Sequence, residues 1–96
     1  MKVHWTRSAE SHLDAIHRYI AQDSPVYAQR MVDRITRRSM QIAAFPRSGR
    51  IVPEYGHDAI REVFESSYRI IYRIYSDRID VLAVLHGAQA RLNSQF

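Results

Sequence analysis

The chain has 96 residues, which fits one domain (residues 1–96) with a single modest core. It contains no cysteine, which excludes a disulfide framework, a thiolate metal site and a cysteine nucleophile, and suits a reducing cytoplasm. The formal net charge is +4, and Lys2 is the only lysine among 14 lysine and arginine residues. This arginine-rich composition favours a phosphate-bearing or acidic partner. The alternative is a basic surface that is only solvated.

A short strand and an amphipathic helix are predicted at the N-terminus. Residues 2–6 alternate in polarity and are bounded by polar residues, as is typical of a strand. Ser8 is suited to cap a helix that runs to about residue 22. One apolar stripe of this helix carries Ala9, Leu13, Ile16 and Ile20.

A second helix follows after about three residues. Ser24 can cap it, Pro25 suits its first position, and Pro46 requires it to end earlier. Its apolar stripe carries Ala28, Val32, Ile35, Ser39 and Ile42. So short a connection predicts that the two helices pack as an antiparallel hairpin.

The second half of the chain is predicted to be a loop and a β-meander. Proline and glycine punctuate residues 45–55, and three β-type runs follow at Ile60–Glu65, Tyr68–Tyr75 and Ile79–His86. The short gaps between the runs require antiparallel hairpins. The sequence therefore predicts an α+β fold of order β-α-α-β-β-β, with a helical hairpin packed on one face of a small antiparallel sheet.

The middle run of the meander alternates cleanly between two faces. Tyr68, Ile70, Tyr72 and Ile74 share the face that we assign to the core. Arg69 and Arg73 then point to the open side. If Asp77 and Arg78 form the next turn, Arg69 lies directly opposite His86, a pairing that a one-residue slip would destroy.

An arginine beside a histidine on an open sheet face can support catalysis. Histidine is an acid or base near neutral pH, and arginine stabilises charge on a phosphoryl group. Glu54 lies in a loop that would reach the same edge and could act as a base, so Glu54, Arg69 and His86 could together cleave RNA without a metal. The alternative is structural: Arg61 and Arg69 pair with Glu62 and Glu65, and His86 only ends a strand.

Other chemistries find little support in the sequence. No Asp, Glu or His cluster has the spacing of a metal site, and no phosphate-binding loop or dinucleotide fingerprint is present, so no metal or cofactor is expected. No apolar run approaches the roughly 18 residues of a membrane span, and the N-terminus lacks the apolar segment of a secretory signal. We therefore expect a cytoplasmic protein without membrane contacts.

Four segments, taken in order, resemble the ParE/RelE toxin superfamily of type II toxin–antitoxin systems. These segments are residues 45–54, Arg61-Glu62, residues 68–74 and residues 81–88, and the N-terminal helical hairpin fits the same family. The resemblance covers essentially the whole chain. It implies a bacterial toxin that a co-expressed antitoxin holds inactive, with antitoxin helices in a groove beside the hairpin, where Leu13, Ile16 and Ile20 are the candidate contacts.

The resemblance allows two kinds of target. Members of the ParE-like branch inhibit DNA gyrase, whereas RelE-like members are ribosome-dependent mRNA endonucleases. The ending His86-Gly87-Ala88 is closer to the ParE-like branch, which predicts gyrase poisoning without catalysis. If the chain is a nuclease instead, Glu54, Arg69 and His86 are its catalytic candidates. The candidate contacts to the target or to nucleic acid are Arg50, Arg61, Arg69 and Arg73.

Overall fold

The computed structural model describes residues 1–87, and residues 88–96, which include Ala88 at the end of the family-like segments, lie outside that description. The elements are β1 (Lys2–Trp5), α1 (Arg7–Ala21), α2 (Pro25–Ile42), a 3₁₀ turn (Pro46–Ser48), β2 (Arg50–Ile51), β3 (Ile60–Glu65), β4 (Tyr68–Ile74) and β5 (Arg78–His86). The predicted α+β fold and its element order are confirmed. The structure adds the two-residue strand β2 within the predicted loop.

The sheet has five strands in the order β1-β5-β4-β3-β2. Strands β3 to β5 pair antiparallel as predicted, and the added strand β2 pairs antiparallel with β3. Strand β1 pairs parallel with β5, so the sheet is mixed rather than purely antiparallel. Parallel neighbours need a long crossover connection, and here the helical hairpin and the meander supply it. A four-residue strand carries no sequence signal for this choice of neighbour.

Both helices begin at side-chain caps. Thr6, rather than the predicted Ser8, caps α1: its Oγ1 accepts a hydrogen bond from the Ala9 N–H at 3.2 Å and donates to the Val81 carbonyl oxygen at 2.9 Å. The helix therefore begins where β1 leaves the sheet. Ser24 caps α2 as predicted, with its Oγ accepting from the Tyr27 N–H at 3.1 Å.

The helices cover one face of the sheet, which we call the inner face. The buried residues of α2 are Ala28, Met31, Ile35, Ser39 and Ile42. Met31 is therefore part of the core, whereas Val32, which was predicted to be there, is only half-buried. From the sheet, Ile70 and Tyr72 join the same cluster, which confirms the face of β4 that was assigned to the core. Burial of a side chain such as Ile70 contributes roughly 1.5–3 kcal/mol.

The register between β4 and β5 differs from the prediction. The Tyr75 N–H bonds to the Arg78 carbonyl oxygen at 2.8 Å, so the turn lies one residue earlier, and Ile74 pairs with Ile79. A β-bulge between Ile71 and Tyr72 then inserts one extra residue of β5. As a result Arg69 pairs with Leu85 and His86 pairs with Tyr68, and the predicted pairing of Arg69 with His86 is wrong.

Tyr72 ties the loop after α2 to the core. Its side chain is fully buried, and its hydroxyl donates to the Pro46 carbonyl oxygen at 2.6 Å and accepts from the Gly49 N–H at 3.2 Å. A Cβ at Gly49 would lie 2.7 Å from the Glu62 carbonyl oxygen, so only glycine permits this close approach. The loop therefore reaches the edge of the sheet in one fixed position.

We expect Tyr72→Phe to lower the free energy of unfolding by about 2 kcal/mol, because it leaves the buried Gly49 N–H and the part-buried Pro46 carbonyl oxygen without their partner. Urea denaturation followed by circular dichroism measures the change. Tyr19→Phe removes a hydroxyl from a tyrosine that is 73% exposed, and it should change the free energy by less than about 0.5 kcal/mol. Equal losses in the two variants would contradict the role given to the Tyr72 hydroxyl.

Candidate functional site

The opposite face of the sheet, which we call the outer face, carries a cluster of two arginines and two carboxylates. Arg50 and Glu62 lie directly opposite each other on β2 and β3, and the Arg50 Nε bonds to Glu62 Oε2. From β4, the Arg69 Nε donates to Glu62 Oε1 at 2.7 Å. The Arg69 Nη2 donates to Glu54 Oε1 at 3.0 Å, and Glu54 comes from the loop that follows β2. We call these four residues the outer-face ion cluster.

Burial divides the outer-face ion cluster into an inner pair and an outer pair. The Glu62 side chain is 0% exposed and that of Arg69 is 7% exposed, whereas Glu54 and Arg50 are 31% and 60% exposed. Removing one member of a buried ion pair costs about 3–5 kcal/mol, since the remaining charge is left without compensation. The Glu62–Arg69 pair is therefore the part of the cluster that the fold cannot lose.

The ion pairs shift the titration of their members. The hydrogen bond from Arg69 is the main cause that holds the pKa of the Glu54 carboxyl below its ordinary value of 4.5. Burial alone would lower the pKa of the Arg69 guanidinium, but the two carboxylates outweigh burial and raise it. Both groups are accordingly charged at neutral pH.

The catalytic candidates are only partly brought together. Glu54 and Arg69 are in contact, as their predicted positions at one edge of the sheet imply. His86 instead lies beside Tyr68, with the two rings 5.5 Å apart and perpendicular. Tyr68 packs against the inner-face core, so His86 is on the side of the sheet opposite to Arg69.

Arg69 points away from the helices as predicted, but its predicted exposure is wrong. Its guanidinium lies under the loop that carries Glu54 and beside the buried carboxylate of Glu62. Alternation along a strand identifies the face but not what covers it. The structural alternative, in which Arg69 pairs with a glutamate of β3, describes Arg69 correctly, and Glu62 is that glutamate.

The other candidate arginines lie in different surroundings. Arg61 is 13% exposed and holds the preceding loop by bonds to the carbonyl oxygens of Arg47 and Gly49 and to the Asp58 carboxylate. Its predicted pairing with Glu62 or Glu65 is wrong, because Glu62 bonds to Arg50 and Arg69 and Glu65 bonds to Arg34.

Two candidate arginines are left with more open surroundings. The Arg73 guanidinium lies 5.2 Å from the centre of the Tyr75 ring and is half-buried. Arg50 lies 5.5 Å from the centre of the Phe64 ring and is exposed. Of the four predicted target contacts, Arg50 is therefore the one whose cationic head is most open to solvent.

The candidate antitoxin contacts lie on α1. Leu13, Ile16 and Ile20 are half-buried and pack against the inner-face core. Leu13 also borders a groove of about 750 Å³ beside the helices. The groove is lined by Trp5, Arg7, Glu10, Ser11, Leu13, Asp14, His17, Val32 and Thr36. Its lining combines apolar, acidic, basic and imidazole side chains, and Ile16 and Ile20 are not part of it.

The sequence named Glu62 only as a possible structural partner of an arginine and not as a site residue, although it is the centre of the outer-face ion cluster. The sequence does contain a sign of its position, because Ile60 and Glu62 are two residues apart in a β-type run and must point to the same face of the strand. The loop between β3 and β4 left open which face that is. Within residues 1–87, no group of three or more His, Asp or Glu side chains could hold a metal ion, and no helix is long and apolar enough to cross a membrane.

We expect Arg69→Met to lower the free energy of unfolding by about 3–5 kcal/mol, because it leaves the buried Glu62 carboxylate with Arg50 alone. Arg73→Met, on the same strand and face, loses only a cation–π contact and should cost about 0.5–1 kcal/mol. Thermal and urea denaturation provide the comparison. The double variant Glu62→Leu/Arg69→Met should regain much of the loss, and a double variant as unstable as the sum of its single changes would contradict the ion-pair account.

The lowered pKa of Glu54 predicts a pH dependence. A carboxyl whose pKa is depressed in the folded state stabilises the fold above its unfolded pKa, and this contribution is lost as pH falls through the folded pKa. We therefore expect the stability difference between the wild type and Glu54→Gln to be largest above pH 4.5 and to vanish on acidification. Urea denaturation from pH 7 to pH 3 tests this, and an unchanged difference at pH 3 would rule it out.

Comparison with known proteins identifies the family. The family model described as "ParE toxin of type II toxin-antitoxin system, parDE" matches residues 3–91. The protein "Toxin RelE2" of Caulobacter vibrioides is 33% identical over 89 residues, which cover 92% of this chain and 97% of that protein. "Putative toxin Y4kP" of Sinorhizobium fredii is 36% identical over 90 residues, which cover 92% of this chain and 90% of that protein.

A solved structure shares the fold. The structure titled "Chromosomal ParDE TA system from P. aeruginosa" matches with a TM-score of 0.75 at 22% identity, covering 90% of this chain and 95% of the other. At that identity the likeness concerns the arrangement of helices and strands. The match of the family model over nearly the whole chain carries the assignment: this chain belongs to the ParE toxin family of type II toxin–antitoxin systems.

Proposed function

We propose that the chain arrests bacterial growth by inhibiting DNA gyrase and that its cognate antitoxin neutralises it. The resemblance to the ParE-like branch gives this target. One structural observation supports it over RNA cleavage: the Arg69 guanidinium is held between two carboxylates, while His86 lies on the other side of the sheet. The three residues that a nuclease would need are therefore not assembled around one space.

Phosphoryl chemistry at Arg69 would carry a structural cost. A guanidinium stabilises a phosphate only if its N–H groups point at the oxygens on which charge develops. Here the Nε and Nη2 groups of Arg69 already donate to Glu62 and Glu54. If Arg69 turned to a phosphate, the fully buried Glu62 carboxylate would lose this partner, at a cost in stability of about 3–5 kcal/mol. The lowered pKa of Glu54 also makes this carboxylate a weaker base.

RNA cleavage is the second candidate, and one observation favours it. Glu54 and Arg69 lie in contact, and the similar Caulobacter protein is called Toxin RelE2. A nuclease of this kind would have to reorganise the outer-face ion cluster when the ribosome and mRNA bind. The assay below distinguishes it from gyrase inhibition.

We assign target recognition to the outer face. Arg50 extends from the edge strand β2, is 60% exposed and lies over the exposed Phe64 ring. Arginine and aromatic residues, phenylalanine included, are enriched at protein interfaces relative to the rest of the surface. Arg73 adds a second, half-buried cation on the same face, whereas Arg61 and Arg69 act through the position of the loop and of the ion cluster.

We assign antitoxin binding to the groove beside α1. An amphipathic helix of the antitoxin would place apolar side chains against Leu13, Trp5 and Val32. Its polar side chains would meet Glu10 and Asp14, which also line the groove. Ile16 and Ile20 extend the same apolar stripe along α1 and would contact a longer segment.

We expect the purified full-length chain to reduce plasmid supercoiling by gyrase in proportion to its concentration. Addition of the protein encoded by the adjacent reading frame should restore supercoiling, because it would occupy the toxin. In parallel, primer extension on mRNA from a translating extract should reveal no new cleavage ends. Undiminished supercoiling together with new cleavage ends would replace gyrase inhibition with the nuclease.

A further inference from the structure

Most of the excess positive charge of the chain lies on one helix. Helix α2 contains four arginines and one aspartate, a surplus of three positive charges, whereas the formal net charge of the whole chain is +4. Helix α1 contains two arginines, one glutamate and one aspartate, so its charges balance. The positive surface of the molecule is therefore concentrated rather than spread evenly.

The four arginines of α2 share one side of the helix. Arg30, Arg34, Arg37 and Arg38 stand at spacings of four, three and one, which places them within one stripe of about 100°. Their side is turned away from Val32 and Thr36, which line the groove beside α1. We call this stripe the arginine face of α2.

The arginine face is largely unneutralised. Among residues 1–87, Arg30 and Arg37 are exposed and have neither an ion pair nor a hydrogen bond through their side chains. Arg38 contacts only the uncharged Gln41, at 3.5 Å, and Arg34 is paired with Glu65 at 2.8 Å. The face therefore keeps about three free positive charges.

Five arginines of the sheet and the preceding turn provide the contrast. Arg47, Arg50, Arg61, Arg69 and Arg78 each pair with at least one carboxylate. These pairs neutralise most of the charge in this part of the molecule, where Arg73 is the arginine that contacts an aromatic ring and no carboxylate among residues 1–87. An arginine that already binds a carboxylate has fewer donors for an external anion. The capacity of this chain to bind an external polyanion is thus found on α2.

We propose that the arginine face of α2 binds the sugar–phosphate backbone of duplex DNA. The four guanidiniums span about 12 Å along the helix axis, at 1.5 Å per residue. One strand of a duplex presents a phosphate about every 3.4 Å along its axis, so this span faces about three or four phosphates. Helix α2 holds the four arginines at a fixed spacing, and a duplex presents phosphates at a regular spacing, which an irregular acidic segment of a protein does not.

A recess beside the arginine face gives one phosphate a place to enter. It has a volume of about 170 Å³ and is lined by Arg34, Arg37, Arg38, Gln41 and Glu65. The amide of Gln41 adds an uncharged donor, and Glu65 orients Arg34 through their ion pair. No base edge is read by such contacts, so the binding is independent of DNA sequence.

This site does not depend on gyrase being the target. The arginine face is separate from the groove beside α1 and from the outer face, so antitoxin or target can be bound at the same time. A chain that fails to inhibit gyrase could still bind DNA through α2, and the two proposals therefore fail independently.

Fluorescence anisotropy of a labelled 20-base-pair duplex, titrated with the full-length chain from 50 to 200 mM NaCl, tests the proposal. With about three phosphates neutralised, the logarithm of the affinity should fall against the logarithm of salt with a slope of about −3. The double variant Arg30→Gln/Arg37→Gln should weaken binding at least tenfold at 50 mM NaCl and bring the slope to about −1.

The matched control is Arg7→Gln/Arg18→Gln, which removes the same two charges from exposed positions on α1. It should change the affinity by less than about threefold, since the phosphate contacts remain. Equal weakening by the two double variants would overturn the proposal in favour of a general charge effect. Tighter binding of a polyglutamate peptide than of the duplex would overturn it in favour of an acidic protein partner.

Discussion

The buried ion pair between Glu62 and Arg69 is the interaction on which the outer face of the sheet depends. A carboxylate with no exposed surface is tolerated only where donors replace its water, and here two arginines supply them. The pair joins β3 to β4, Arg50 joins β2 to the same carboxylate, and Glu54 joins the following loop. Four separate pieces of backbone thus meet at one pair of charges. An apolar pair of similar volume could be as stable, but it would not hold that loop in the same way.

A single inserted residue determines which side chains the outer face can use. The bulge between Ile71 and Tyr72 shifts β5 by one residue, and in a strand a shift of one residue reverses the face of every side chain beyond it. Ala83 and Leu85 consequently fall on the outer side, and His86 falls beside Tyr68 on the inner side. The separation of His86 from Arg69 is therefore a consequence of backbone register and not of side-chain conformation, and a change of rotamer would not reunite them.

The sequence predicted what local rules control. Capping by Ser24, the apolar stripes of both helices and the core face of β4 depend on residues a few positions apart, and they are confirmed except that Met31 replaces Val32 in the stripe of α2. It did not predict the parallel partner of β1, because β1 and β5 are distant in sequence. It did not predict the bulge between β4 and β5 either, because alternation within one strand does not show where an extra residue enters the pairing. The burial of Arg69 was missed for a related reason. Alternation gives an arginine its face, but whether it meets water depends on Glu54 and Glu62, which only the tertiary fold brings to it.

The net charge of the chain is a poor guide to where an anion binds, and the inventory of ion pairs is a better one. The meander was the first choice for an anion-binding surface because its arginines alternate on one face. Once each of them is paired or stacked, the meander has little free charge apart from Arg50 and Arg73. The sequence did not identify the four arginines of α2 as an anion-binding surface, since a charged stripe opposite an apolar one is ordinary for a surface helix. Among residues 1–87, three of these four arginines have no carboxylate partner, because Glu65 reaches only Arg34 and leaves Arg30, Arg37 and Arg38 without an ion pair. This property depends on the position of Glu65 in the folded chain.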